Sequence, residues 1–338
     1  MTWRVVSILA VAWCASTARA ALIPNDPDFP VAWHATKIGL PAAWDVSTGS
    51  ASTIIAVLDT GVIANQPDFT GRILPALSTT GTPPMDGTAN HHGTWVASTL
   101  AAQINNGLGS VGVGNFSILP VTVTDELGHN SSDWIADGIR LAADSGARVI
   151  NVSIGTLSYG RLDAAAEYAR SKGALTFVAA GNSNAREARS DYDNLIFVSG
   201  TNRDDARWVS ANGGTGSTWG PFIDLSAPSE DIRVIAPSLA QGYGWISGTS
   251  FASPLAAGAA ALAFSINPDL TADQVEALLY ETAVDLGAPG WDEVYGHGRL
   301  DVGALAAAAA ASVPEPRFAF MSIAFAAPLL LRRRLARR

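Results

Sequence analysis

Three residues in this 338-residue chain have the types that nucleophilic acyl transfer needs, and each stands where one element ends or another begins. Asp59 closes the apolar run Val57-Leu58 and is followed by Thr60-Gly61. His92 opens His92-Gly93-Thr94-Trp95-Val96-Ala97, and Ser250 lies within Ser247-Gly248-Thr249-Ser250-Phe251-Ala252-Ser253-Pro254, each before a helix-like apolar run. A serine hydroxyl is a poor nucleophile until an imidazole takes its proton. The imidazole in turn needs a carboxylate to fix its tautomer and stabilise the imidazolium that forms. Taken singly, each motif has a plainer reading. Asp-Thr-Gly after a strand is a common turn, His92 a packed or capping histidine, and Ser250 a helix N-cap. His91 competes with His92 for the role of base.

The elements that must position these residues follow from hydrophobic periodicity. Apolar runs at 53–58, 118–123, 148–152, 174–179, 195–199 and 222–225 read as buried strands. Segments 134–143, 162–172, 250–264 and 272–282 read as helices, with Thr271 and Asp273 supplying cap chemistry to the last. Near-continuous apolar strands separated by helices predict an α/β fold, its mostly parallel central sheet carrying helices on both faces. Functional residues in such sheets gather beyond the carboxyl ends of the strands, where Asp59 and Asn182 also fall.

The order Asp, His, Ser and the local sequences together resemble the subtilase family of serine proteases. Residues 57–61 are similar to its aspartate motif, 92–97 to its histidine motif and 248–254 to its serine motif. Asn25-Asp26-Pro27-Asp28-Phe29 and Lys37-Ile38-Gly39 resemble the start of the thermitase-like branch, and the likeness runs over 24–303. It implies a subtilisin-like domain that cleaves protein or peptide substrates through an acyl-enzyme, with Asp59, His92 and Ser250 as triad. His92 is the base because it alone is followed by Gly-Thr. Asn182, in Ala179-Ala180-Gly181-Asn182, resembles the family's oxyanion asparagine.

The same resemblance implies that substrate backbone is read as an added strand between Gly128-His129-Asn130 and Ser153-Ile154-Gly155. It also implies a structural Ca2+ held by Asp26, Asp68, the Asn106 side chain and the carbonyls of Ile104, Leu108 and Ser110, hard oxygens of the kind calcium takes. The chain departs from the family pattern at three places. Trp95 stands where a second histidine is frequent, Thr156 where glycine is, and Phe251 where methionine is. His34 and His297 match no motif and are expected to be structural.

Composition bounds the remaining choices. With 48% hydrophobic and 15% charged residues the chain is a globular protein. The net charge of −9 hides 13 basic against 29 acidic residues between Ala21 and Val313, a balance of −16 that repels nucleic acid. Residues 1–20 read as an export signal: Arg4, an apolar stretch at 5–13, and Ala18-Arg19-Ala20 before the cleavage point. The only cysteine, Cys14, lies inside that leader, so no disulfide is expected. The catalytic domain is expected over 21–303 with no separate propeptide before it, and a helical, alanine-rich linker over 304–312.

The tail, 313–338, joins Val313-Pro314-Glu315-Pro316 to a short apolar stretch and the cluster Arg332-Arg333-Arg334-Leu335-Ala336-Arg337-Arg338. It resembles a PEP-CTERM sorting signal, which implies transient membrane association, an exosortase-type processing enzyme and a Gram-negative host. The mature protein is then expected in the periplasm, at the cell surface or outside. A non-catalytic matrix-binding protein on the same scaffold is the rival reading, and it requires a lost catalytic group.

Overall fold

The computed structural model describes residues 22–81, 91–155, 158–239 and 242–313. The expected leader and nearly all of the sorting segment lie outside them, as does Thr156. Seven strands form one sheet: β1 (Ile54–Asp59), β2 (Leu77–Ser78), β3 (Ser117–Thr122), β4 (Val149–Val152), β5 (Leu175–Ala179), β6 (Leu195–Thr201) and β7 (Leu225–Pro228). Their order is β2-β3-β1-β4-β5-β6-β7, and every pairing is parallel. Such a sheet needs both faces covered, and the helices supply that cover.

Helices α1 (Trp33–Lys37), α2 (Leu40–Val46), α3 (His92–Ala101), α6 (Thr249–Ile266), α7 (Ala272–Glu281) and α8 (Val302–Ala311) belong to the core on one face. There Leu255 and Ala259 meet Val57 and Phe177. Helices α4 (Ser132–Asp144) and α5 (Tyr159–Ser171) cover the other face, packing Ile135, Ile139 and Leu162 onto Leu58, Val121 and Val178. Among the described residues α6 alone is long and apolar enough to cross a membrane. It is 83% buried and forms the central core helix.

The order in which strands are added changes sides at β1, whose parallel neighbours are β3 on one side and β4 on the other. The loops leaving β1 and β4 therefore part, opening a crevice beyond their carboxyl ends. Asp59 ends β1 and Ser153 follows β4, so the topology puts both at that crevice.

Three expectations need correction. The strand expected at 222–225 is β7, starting at Leu225. Phe222 turns instead into the α4/α5 core, and Asp224 uses its carboxylate to accept the Phe197 N–H at 2.7 Å. The alanine run expected as a helical linker is indeed a helix, α8, but it packs on the body instead of leading away from it. Asp301 caps it, Val302 N–H donates to Ile38 O at 2.8 Å, and Leu305, Ala306 and Ala309 are buried. Lastly, an antiparallel hairpin, β8 (Ile232–Ile235) with β9 (Tyr243–Ile246), was not expected. It packs on α3, where Ile235 N–H donates to Ser98 Oγ at 3.1 Å.

Candidate active site

Two threonines and a glycine bring Asp59 and His92 together. Helix α3 starts hard against the end of β1, so that a Cβ on Gly93 would run into the Gly61 carbonyl oxygen. Gly93 N–H donates to Thr60 Oγ1 at 3.0 Å, and Ile63 N–H donates to Thr94 Oγ1 at 3.0 Å. The residues flanking Asp59 and His92 thus interlock, which explains why Asp-Thr-Gly and His-Gly-Thr occur together. The result is His92 Nδ1 lying 2.8 and 2.9 Å from the two oxygens of Asp59. The Asp59 side chain is fully buried while that of His92 is 24% exposed. Asp59 Oδ1 also accepts the Thr60 N–H at 2.8 Å. A carboxylate held this way keeps a proton on Nδ1 and leaves Nε2 as the base. The imidazole sits between Trp95 and Phe251, with ring centroids 6.2 and 6.1 Å away.

Ser250 occupies the first turn of α6, at the positive end of the helix dipole. Its hydroxyl donates to Ser153 O at 3.2 Å, and Ser153 Oγ donates back to Ser250 O at 2.9 Å. Asn151, a fully buried polar residue in β4, ties this junction down. Its Nδ2 donates to Ser153 Oγ at 3.0 Å and its Oδ1 accepts from Ser253 Oγ at 2.8 Å. Buried polar groups of this kind hold a geometry because every partner is satisfied.

Asn182 follows β5 through Gly181, whose φ of +106° needs glycine. Its Oδ1 accepts from both Thr249 N–H at 2.9 Å and Thr249 Oγ1 at 3.0 Å, while Gly181 N–H donates to Thr249 Oγ1 at 3.1 Å. With the amide oxygen committed, the amide nitrogen is the end left to donate outward. Sequence reasoning did not single out Thr60, Thr94, Thr249 or Asn151 for these roles. Asn151 carried the only usable signal, a polar side chain inside an apolar strand.

The two expected substrate segments lie at the same end of the sheet. Ser153, Ile154 and Gly155 leave β4. Gly128, His129 and Asn130 form a turn after β3, closed by a Thr124–Asn130 bridge. Asp125 organises that turn by accepting the Leu127 and His129 N–H groups at 3.0 and 2.8 Å, with His129 Nδ1 3.0 Å from its other oxygen. His129 remains 72% exposed.

The expected calcium ligands also come together. Asp26 and Asp68 are buried. Asp26 accepts Asn105 N–H at 2.6 Å and Asn106 N–H at 3.0 Å. Asp68 accepts Asn106 Nδ2 at 2.7 Å and Tyr243 Oη at 3.1 Å. Burial pushes the Asp68 carboxyl up to about 6; the Asn106 and Tyr243 hydrogen bonds pull it down, and the Asp26 charge adds to the rise. Among the described residues nothing donates to the carbonyls of Ile104, Leu108 or Ser110. The Asn106 amide oxygen faces Leu108 N–H at 2.9 Å, and the Ser110 hydroxyl donates away, to Arg233 O at 3.1 Å. Among the described residues no group of three His, Cys, Asp or Glu could hold a metal. The donor set here is instead two carboxylates with oxygen-rich loop backbone, which fits a hard cation.

Comparison with known proteins follows the same lines. The subtilase family (Peptidase S8) matches residues 50–298. Thermitase from Thermoactinomyces vulgaris is 36% identical over 272 residues, which make up 79% of this chain and 94% of that protein. A thermophilic serine proteinase from Bacillus sp. strain AK1 is 39% identical over 226 residues, 65% of this chain but only 54% of the relative. A solved structure of a protease from Pseudoalteromonas arctica superposes with a TM-score of 0.73 at 30% identity, covering 85% of this chain and 99% of that one.

Proposed function

This chain belongs to the subtilase family and is a serine endopeptidase, and from that premise we propose that Asp59, His92 and Ser250 are its catalytic triad and Asn182 its oxyanion donor. The observation that carries the assignment is His92 Nδ1 held on both oxygens of a fully buried Asp59. In the reaction the Ser250 hydroxyl swings from the Ser153 carbonyl to His92 Nε2, gives up its proton and attacks the scissile carbonyl. Negative charge then develops on the carbonyl oxygen. The Asn182 amide N–H and the Ser250 backbone N–H, at the start of α6, stabilise it. The imidazolium returns the proton to the leaving amine, and water, activated by the same imidazole, releases the acyl-enzyme. Labelling with a fluorophosphonate probe tests the assignment. The wild type is expected to react and Ser250→Ala to stay unlabelled; labelling of both would refute Ser250 as nucleophile.

Substrate backbone pairs between Gly128-His129-Asn130 and Ser153-Ile154-Gly155 as an added strand, a mode that reads main chain more than side chains. Calcium, when bound, supplies structural cross-linking rather than chemistry. Asp26, Asp68, the Asn106 side chain and the carbonyls of Ile104, Leu108 and Ser110 would hold it. The raised Asp68 carboxyl and the undonated carbonyls support this reading.

The enzyme is exported after loss of residues 1–20. Its tail, processed by an exosortase-type enzyme near 313–316, associates with the membrane only in passing. Intact-mass measurement in hosts with and without the exosortase decides the tail. Arg338 still attached in the competent host would leave a permanent anchor.

A further inference from the structure

The Asp59–His92 contact fixes one end of the imidazole and leaves its tilt open. Nδ1 stands 2.8 and 2.9 Å from the two Asp59 oxygens, so the bond is shared between them and sets a distance more than a direction. The last torsion of a histidine side chain is also broad, with no sharp staggered well. At the far end the Ser250 hydroxyl donates to Ser153 O at 3.2 Å and meets Nε2 only by turning. With 24% of its side chain exposed, the ring has solvent to swing into. A base that must take a proton from a serine still on its way needs a restraint of its own, because small misalignments of reacting groups slow a transfer steeply.

Two aromatic rings are placed to give it. Trp95 is three residues after His92 on α3, a spacing that puts side chains on one helix face, and its ring meets the imidazole edge-on at 6.2 Å and 64°. Phe251 follows Ser250 on α6, is buried, and lies 6.1 Å from the imidazole at 59°. The rings thus come from the helix that carries the base and the helix that carries the nucleophile. Trp95 holds its place at a cost, because its indole N–H is buried and has no acceptor among the described residues. A hydrogen bond does not explain the orientation of that ring; contact with His92 does. We propose that Trp95 and Phe251 are positioning residues that brace the His92 imidazole, keeping Nε2 aimed at Ser250 while the hydroxyl turns from Ser153 O. The proposal rests on the triad reading above. Neither ring carries a proton or a charge in the reaction, and both act through the imidazole.

The test measures turnover of a peptide amide by Trp95→Leu, Phe251→Leu and the double variant, with kcat counted per active site titrated by a fluorophosphonate. Each single change is expected to lower kcat about 3–10-fold, the worth of one aromatic contact, with KM unchanged. The double variant should lose less than the product of the two, because a ring freed on one side is already loose. Trp95→Phe, which keeps an aromatic ring, should restore most of what Trp95→Leu loses. Unchanged kcat in both single variants, multiplicative losses, or a Trp95→Phe as slow as Trp95→Leu overturns the brace. Because Phe251→Leu also thins the core, a second readout follows the base directly. The 15N resonance of His92 Nε2 is expected to be sharp in the wild type and broadened by microsecond-to-millisecond exchange in the double variant. Equal linewidths overturn the proposal even where turnover has fallen. Failure of the triad reading shows separately, since Ser250→Ala would then still be labelled by the fluorophosphonate whatever the rings do.

Discussion

The crevice at the ends of β1, β4 and β5 and the Asp26/Asp68 loop both bury carboxylates, yet they solve the problem differently. In the crevice Asp59 has His92 and the Thr60 N–H, Asn151 has Ser153 and Ser253, and the Asn182 amide oxygen has Thr249. Protein partners place the imidazole and the Asn182 amide before substrate arrives, while the Ser250 hydroxyl, on Ser153 O, has still to turn to His92. In the loop the oxygens of Asp26 and Asp68 also accept hydrogen bonds, yet burial and the neighbouring Asp26 raise Asp68, and among the described residues nothing donates to the carbonyls of Ile104, Leu108 and Ser110. On the calcium reading proposed above, a hard cation would complete that region.

The comparison is open to attack from its strong side first. Ser250→Ala or His92→Ala is expected to lower kcat by about 10⁶, and the double variant to lose little more, because the groups act as a unit. His91→Ala should be mild. Multiplicative losses in a turnover assay would mean that the crevice is not one preorganised device. Asn182→Ala should cost about 10²–10³ in kcat with little change in KM, the loss that removing such a donor causes in subtilisin. A KM effect at constant kcat would turn Asn182 into a substrate-binding residue.

The loop should answer to a different reagent. A chelator is expected to lower the melting temperature while leaving the isolated Asp59–His92 geometry alone. Saturation at 100–1,000 times Kd is worth about 3–4 kcal/mol by linkage. Asp68→Ala should abolish most of that sensitivity. Superimposable melts with and without chelator would remove the distinction between the two regions.

His34 provides a control that belongs to neither. Burial, with the Arg203 charge adding to it, lowers its pKa from 6.5 to about 4, so the unfolded chain takes up the proton first. Its contribution is therefore complete above pH 6.5 and is lost as pH falls toward 4, by roughly 3 kcal/mol in all. Stability measured across that window should fall more steeply for wild type than for His34→Gln, with chelator present or absent. Equal slopes would assign the acid sensitivity elsewhere.

The smallest expected effect is none. Phe251, buried beside His92, cannot form the bulky sulfoxide that methionine would form there. Mild peroxide should leave activity intact, and rapid loss under conditions that oxidise only methionine would point to a sensitive residue elsewhere.

Much of this was legible in the chain itself. Alternating apolar strands and helices are local patterns, and six of the seven sheet strands and four helices were expected from them, β7 a few residues too early. The motifs around Asp59, His92, Asn182 and Ser250 are equally local, because each must form its own tight turn or helix start. What periodicity could not supply was partnership across the chain. Alanine carries no amphipathic stripe, so nothing in 304–312 revealed that Leu305 and Ala309 pack on the core. Hydroxyls have no fixed partner in sequence, and only the folded sheet aims Thr60 at Gly93 and Thr249 at Asn182. The residue types of the site were set by sequence. Which atom of each faces the substrate was decided by hydrogen bonds between segments up to 102 residues apart, which exist only once the sheet has brought them together.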